Sequence, residues 1–151
     1  MLSTRTQLAA LTLLLAAPLA LPATAGAPAA PPQKGDVEYQ DPTPDPTGNT
    51  NSGNQNHCNG LLPMEPPYIF NAPTTGKLAV KIDGFQGDWT LQIRDAKDKV
   101  IAGDDVNPPA TEATTVKVKA KGQIKIQPCN IGFTPIAMIH WTFTPDPPKK
   151  K

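Results

Sequence analysis

An antiparallel all-β sandwich is the fold class this sequence predicts, on three observations. Apolar residues recur at every second position through most of the chain from Lys77 to Phe143, and helical spacing is nowhere sustained. Turn-forming Gly, Pro, Asn and Asp interrupt that alternation roughly every 8 to 12 residues. Each run has one apolar and one polar face, as required of two sheets that pack on each other and keep water on their outer sides. About six to eight short strands follow, in a jelly-roll-like or Ig-like arrangement.

The elements can be justified in chain order. Tyr68 to Asn71 follows Pro66 and Pro67, and because proline cannot donate to a central ladder this run belongs at an edge or at the start of the domain. Leu78, Val80 and Ile82 alternate with Ala79, Lys81 and Asp83 until Gly84 stops the run. Trp89, Leu91 and Ile93 alternate with Thr90, Gln92 and Arg94. The polar turn from Ala96 to Lys99 then leads into Val100, Ile101 and Ala102, which predicts a hairpin. Val116 and Val118 alternate with Lys117, Lys119 and Lys121, and Gly122 turns the chain into Ile124 and Ile126. This pair reads as a second hairpin with a solvated lysine face. Ile139, Trp141 and Phe143, alternating with Met138, His140 and Thr142, make the last strand.

Around this core the chain divides by composition. Arg5, the apolar run 8–21 and the small residues Ala23, Thr24 and Ala25 form an export signal over residues 1–25. The apolar run is shorter than the roughly 20 residues that a membrane span needs. Residues 26–56 are rich in Pro, Asn, Asp and Thr, with Val37 and Tyr39 as their only large apolar side chains. They read as a disordered, tethering linker, because so little apolar surface does not offset ordering entropy. The sandwich is expected over residues 57–145, followed by a disordered basic tail over 146–151. The expected location is secreted, periplasmic or at the cell surface, with no span left after signal cleavage.

Cys58 and Cys129 are the chain's two cysteines, and an even count in an exported chain predicts a disulfide. A zinc site built from them with His57 and His140 lacks the close ligand spacing such sites use.

The order Phe70-Asn71-Ala72-Pro73, then Gly76 to Asp83, a Gly-rich turn, Asp88 to Asp95, a polar turn, Val116-Lys117-Val118 and Gly122 to Ile126 resembles the bacterial pre-peptidase C-terminal domain over about residues 68–128. That resemblance implies a small, secreted, non-catalytic jelly-roll-like module of the kind appended to exported hydrolases. The chain departs from the family in lacking a Gly-Thr-Tyr-Tyr entry to the late strand.

Catalysis finds little material. After residue 25 the only serine is Ser52, in the linker, so a Ser-His-Asp hydrolase is not expected. A cysteine nucleophile would require an unpaired cysteine. A glycosidase would require two carboxylates facing each other across a cleft, for which a domain this small has little room. Asp83, Asp88, Asp104 and Asp105 fall in neighbouring predicted loops and are the candidate ligands for calcium, although turn formation also places Asp there. No other cofactor is indicated. Phe85 and Phe133 each follow a glycine in a predicted loop. They are the ligand-binding candidates, either stacking on a sugar ring or protein partner or folding back to cap the sandwich. His140 is expected on the outer face of the last strand, solvated or in a cross-strand contact.

Formal net charge is +1 for the whole chain and zero once Arg5 leaves with the signal, so neither nucleic acid nor an anionic membrane is an expected partner. The function expected on these grounds is an exported, non-catalytic binding or accessory module whose partner is an extracellular protein or polysaccharide. The alternatives are a carbohydrate or cell-wall binding domain that uses Phe85 and Phe133, and an inhibitor that uses the loop 106–111.

Overall fold

A computed structural model describes residues 29–42, 58, 65–104 and 111–149. Eight strands follow in order: β1 (Gln33–Gln40), β2 (Tyr68–Asn71), β3 (Gly76–Asp83), β4 (Gly87–Asp95), β5 (Val100–Asp104), β6 (Glu112–Val118), β7 (Gln123–Phe133) and β8 (Ile136–Pro145). They form two antiparallel four-stranded sheets, ordered β1-β8-β3-β6 and β2-β7-β4-β5, packed face to face. No helix among the described residues is long and apolar enough to cross a membrane.

The core is where the alternation places it. Leu78, Val80, Ile82, Ile139 and Phe143 from the first sheet meet Trp89, Leu91, Ile93 and Ile126 from the second, all essentially inaccessible to water. Full burial stabilises by about 1.5 to 3 kcal/mol for each such aliphatic or phenyl side chain. Phe70 lies between Trp141 and Phe143, with ring centroids 5.1 and 5.6 Å away, and joins the edge strand β2 to the opposite sheet.

The hairpin expected between Arg94 and Val100 is present as β4 and β5, and β2 occupies an edge as expected. Its turn is held by Asp95, whose carboxylate accepts the N–H groups of Lys97 and Lys99 at 2.8 and 3.0 Å. Asp98 takes the left-handed conformation there, φ 62°, one that Asp tolerates better than most residues.

Two expectations are corrected. Residues Gln33–Gln40, placed by composition in the linker 26–56, form β1 and pair along their whole length with β8. Gly35, Val37 and Tyr39 face inward while Lys34, Asp36, Glu38 and Gln40 face out, so the period-two signal was present with only two large apolar residues to carry it. The long partner β8 supplies the rest of the burial. The second correction concerns β6 and β7, which do not form a hairpin. β6 pairs with β3 and β7 with β2 and β4, so the chain crosses from one sheet to the other at residues 119–122. Lys121 at φ 59° and the bond from Gly122 N–H to the Lys119 carbonyl, 2.9 Å, make that corner.

Cys58 and Cys129 form the expected disulfide, with Cα atoms 5.8 Å apart across 71 positions of sequence. The residues 1–28, 43–57, 59–64, 105–110 and 150–151, which include the signal, most of the linker, Ser52, His57 and Asp105, lie outside the described set.

Candidate functional site

The outer faces of the two sheets differ. Thr90, Gln92, Gln127 and Cys129 point away from the core in β4 and β7 and are nevertheless buried. The chain at Cys58 lies over them, its sulfur 3.6 Å from both the Thr90 hydroxyl and the Gln127 carbonyl. Gln127 organises the cover. Its amide oxygen accepts from Arg94 at 2.6 Å, and its NH2 donates to the Tyr39 hydroxyl at 2.8 Å and to the Glu65 carbonyl at 3.0 Å. Burial pushes the Tyr39 phenol well above its ordinary pKa, so it stays neutral and donates to the Glu65 carbonyl at 3.2 Å. Below it, Asn130 binds Asp41 through both its backbone and side-chain N–H groups, at 3.1 and 2.8 Å. These contacts tie Cys58, Glu65, Tyr39 and Asp41 to β4 and β7 of this sheet.

The other outer face, on β1-β8-β3-β6, is open among the described residues. The register lays its side chains in rows across the strands. Lys34, Thr142, Ala79 and Thr115 make one row, and Asp36, His140, Lys81 and Ala113 the next. The small side chains of Ala79 and Ala113 between longer neighbours leave a shallow depression of about 390 Å³, bounded by Thr115, Thr142, Lys81 and His140.

His140 is gripped from both sides. Its Nδ1 lies 2.6 Å from an Asp36 oxygen and its Nε2 2.8 Å from Asp83, which also binds the Lys81 ammonium at 2.5 Å. The cross-strand role expected of this histidine is therefore what the fold realises. Hydrogen bonding to Asp36, then to Asp83, raises the imidazole above its ordinary pKa of 6.5, and bonding to Lys81 leads the causes that lower Asp83. With both ring nitrogens held by carboxylates, His140 ties β8 to β1 and β3. The arrangement fixes three strands and presents a charged border to the depression.

The other sequence candidates are dispersed. Asp83 belongs to this open face, while Asp88 and Asp104 lie in the other sheet, where Asp104 accepts the backbone N–H of Ala113 at 2.8 Å. Among the described residues no three His, Cys, Asp or Glu side chains converge as a metal site would require. Phe85 is half-buried, packs against the core and stacks on Trp89 with centroids 5.9 Å apart, the capping arrangement. Phe133 ends β7 opposite Gly87, with its side chain outside the described set, as is most of the loop 106–111. The turns carrying these phenylalanines are joined, because the Thr134 hydroxyl donates to the Gln86 carbonyl at 2.7 Å and accepts the Gln86 N–H at 2.8 Å.

Sequence reasoning missed the depression, because Ala79, Ala113, Thr115 and Thr142 are unremarkable until the register sets them side by side. It also missed the partners of His140, one of which, Asp36, sat in the supposed linker. No protein-family model matches the chain, and comparison with curated proteins returns no match.

Proposed function

We propose that this chain is an exported, non-catalytic β-sandwich module that binds an extracellular partner through the open face of the β1-β8-β3-β6 sheet. The observation that carries this reading is the inequality of the two faces. One is sealed by a disulfide-anchored segment, and the other presents a depression floored by small side chains and bordered by an ordered cluster of charges. A rigid sheet holding its polar groups in place loses little conformational entropy on binding, which is the condition for specific recognition. The pre-peptidase C-terminal resemblance would make this an accessory role beside exported hydrolases.

The test is retention of the chain from Gly26 onward on the producer's own envelope fraction and secreted proteins. Ala79→Gln, which fills the depression from an exposed position without adding charge, is expected to lower retention about tenfold or more while melting at the temperature of the parent. Unchanged retention by that variant would locate the binding surface elsewhere.

A further inference from the structure

The proposal above leaves the ligand open, and the charges around the depression narrow it. Net charge conceals how far the two signs are separated along the strands. Lys77 stands directly opposite Lys117 across β3 and β6, one row beyond Ala79 and Thr115, and Lys34 ends the row of the depression itself. Lys119 and Lys121 follow in the crossing that leaves this same end of the sandwich, and Lys149 follows the last strand out there, since Gly76 pairs with both Val118 and Pro145. None of Lys34, Lys77, Lys117, Lys119 or Lys121 makes an ion pair among the described residues. Like charges directly opposite on a sheet destabilise it, so the Lys77 and Lys117 pair is a local cost that an anionic ligand would offset. The acids of this face, Asp36, Glu38 and Asp83, lie toward the opposite end, with Asp36 in the row that bounds the depression and paired there with His140.

Resting on the reading of the open face as a binding surface, we infer that its ligand is an anionic polysaccharide lying across the strands, in the trough between the Lys77 and Lys117 row and the Lys81 and His140 row. Those rows are four residues apart, about 13 Å at the rise of a strand, and the depression between them is lined from β3, β6 and β8. Thr115 and Thr142 offer hydroxyls to sugar oxygens, and the lysine ammoniums on flexible stems offer repeated positive charge without a fixed fork, suiting a polymer of spaced sulfates or carboxylates. A bilayer fits less well, because neither exposed large apolar residue, Ile69 or Ile136, lies near these lysines to anchor in it. Ile69 is in the other sheet, and Ile136 is at the far end of β8. Single-stranded nucleic acid fits less well too, since among the described residues no Phe, Tyr or Trp lines the depression for a base to stack on, and the one imidazole there, His140, is held edge-on between Asp36 and Asp83.

The test passes the disulfide-intact chain from Gly26 onward over immobilised dextran sulfate and polygalacturonate, with dextran as the uncharged control and phosphatidylglycerol vesicles and single-stranded DNA as competitors. The expected result is retention on both acidic polymers and none on dextran. Retention should be lost on going from about 0.1 M to about 1 M salt, as the screening length falls from about 10 to about 3 Å. Lys77→Glu with Lys117→Glu should weaken binding about tenfold or more without lowering the melting temperature. Equal retention on dextran, stronger competition by vesicles or DNA than by acidic polymer, no retention on either acidic polymer, or full binding by the double variant would each overturn the assignment. Ala79→Gln, which fills the depression without adding charge, separates the two readings. If it abolishes binding to dextran or another neutral polymer, the open face stands and only its anionic ligand is wrong, whereas acidic-polymer binding that ignores Ala79→Gln removes the face itself.

Discussion

At the scale of single residues, His140 shows how an outward-facing position becomes structural. Its two carboxylate partners raise its pKa above 6.5, so its contribution to stability is complete below that value and is lost as pH rises through the higher folded-state pKa. Asp83 runs the other way. Its lowered pKa gives a contribution present above 3.8 and lost as pH falls through the folded value. The cluster is therefore intact between the two, and an NMR titration of the His140 ring should give a midpoint above 6.5 that returns toward it in Asp36→Asn. A wild-type midpoint at or below 6.5 would contradict the geometry. Phe85 makes a second residue-scale case. Because its half-buried ring stacks on Trp89, Phe85→Ala should cost about 2 kcal/mol, below the roughly 3 to 5 of a fully buried phenylalanine, as read by denaturant unfolding. A loss near zero would return Phe85 to the list of free binding groups.

At the scale of elements, β1 depends on two contacts that a linker would not need. A Cβ on Gly35 would stand 2.5 Å from the indole of Trp141, so the glycine is what lets that ring lie over the strand. Gly35→Val is expected to pry β1 from β8 and shift Trp141 fluorescence toward that of an exposed indole, and an unaltered spectrum and melting temperature would deny β1 its place in the sheet. The cover on the other sheet depends on Gln127, which binds β4, β1 and the segment at Glu65 at once. Gln127→Ala leaves those groups buried without their partner. A loss of about 1 to 3 kcal/mol is expected, together with faster amide exchange in β7, and exchange rates like those of the parent would show that the network is dispensable.

At the scale of the molecule, a single disulfide joins the segment over one sheet to the middle of β7. Closing a loop of 71 positions is worth about 4 kcal/mol on the chain-entropy model, a large part of the stability of a domain this size. Thiol titration of the denatured, unreduced chain should find no free thiol, and reduction should lower the unfolding free energy by about that amount. Reduction that leaves the denaturation midpoint in place would mean the cover is held by its hydrogen bonds alone. The same bridge places Cys58 against the outer side of the β2-β7-β4-β5 sheet, beside Thr90 and Gln127.

The sequence by itself determined the fold class, because a period of two requires nothing beyond the chain's own geometry to be recognised: the inward faces from β3 onward follow from it, while Pro66 and Pro67 set β2 at an edge and the polar turn at Ala96 to Lys99 set the β4 to β5 hairpin. It determined the disulfide as well, since two cysteines leave one pairing within the chain. Which sheet each strand joins was decided by tertiary structure. The run from Val116 to Ile126 looks like one hairpin locally, yet Val116 and Val118 bury against β3's sheet and Ile124 and Ile126 against β4's, a choice made by distant partners. The strand Gln33–Gln40 likewise has too little apolar surface to declare itself and becomes a strand only beside β8. The candidate site was the least legible part for the same reason: Asp36, Lys81, His140 and Ala113 are spread over 105 positions and meet only because antiparallel register sets one residue of each strand in a row.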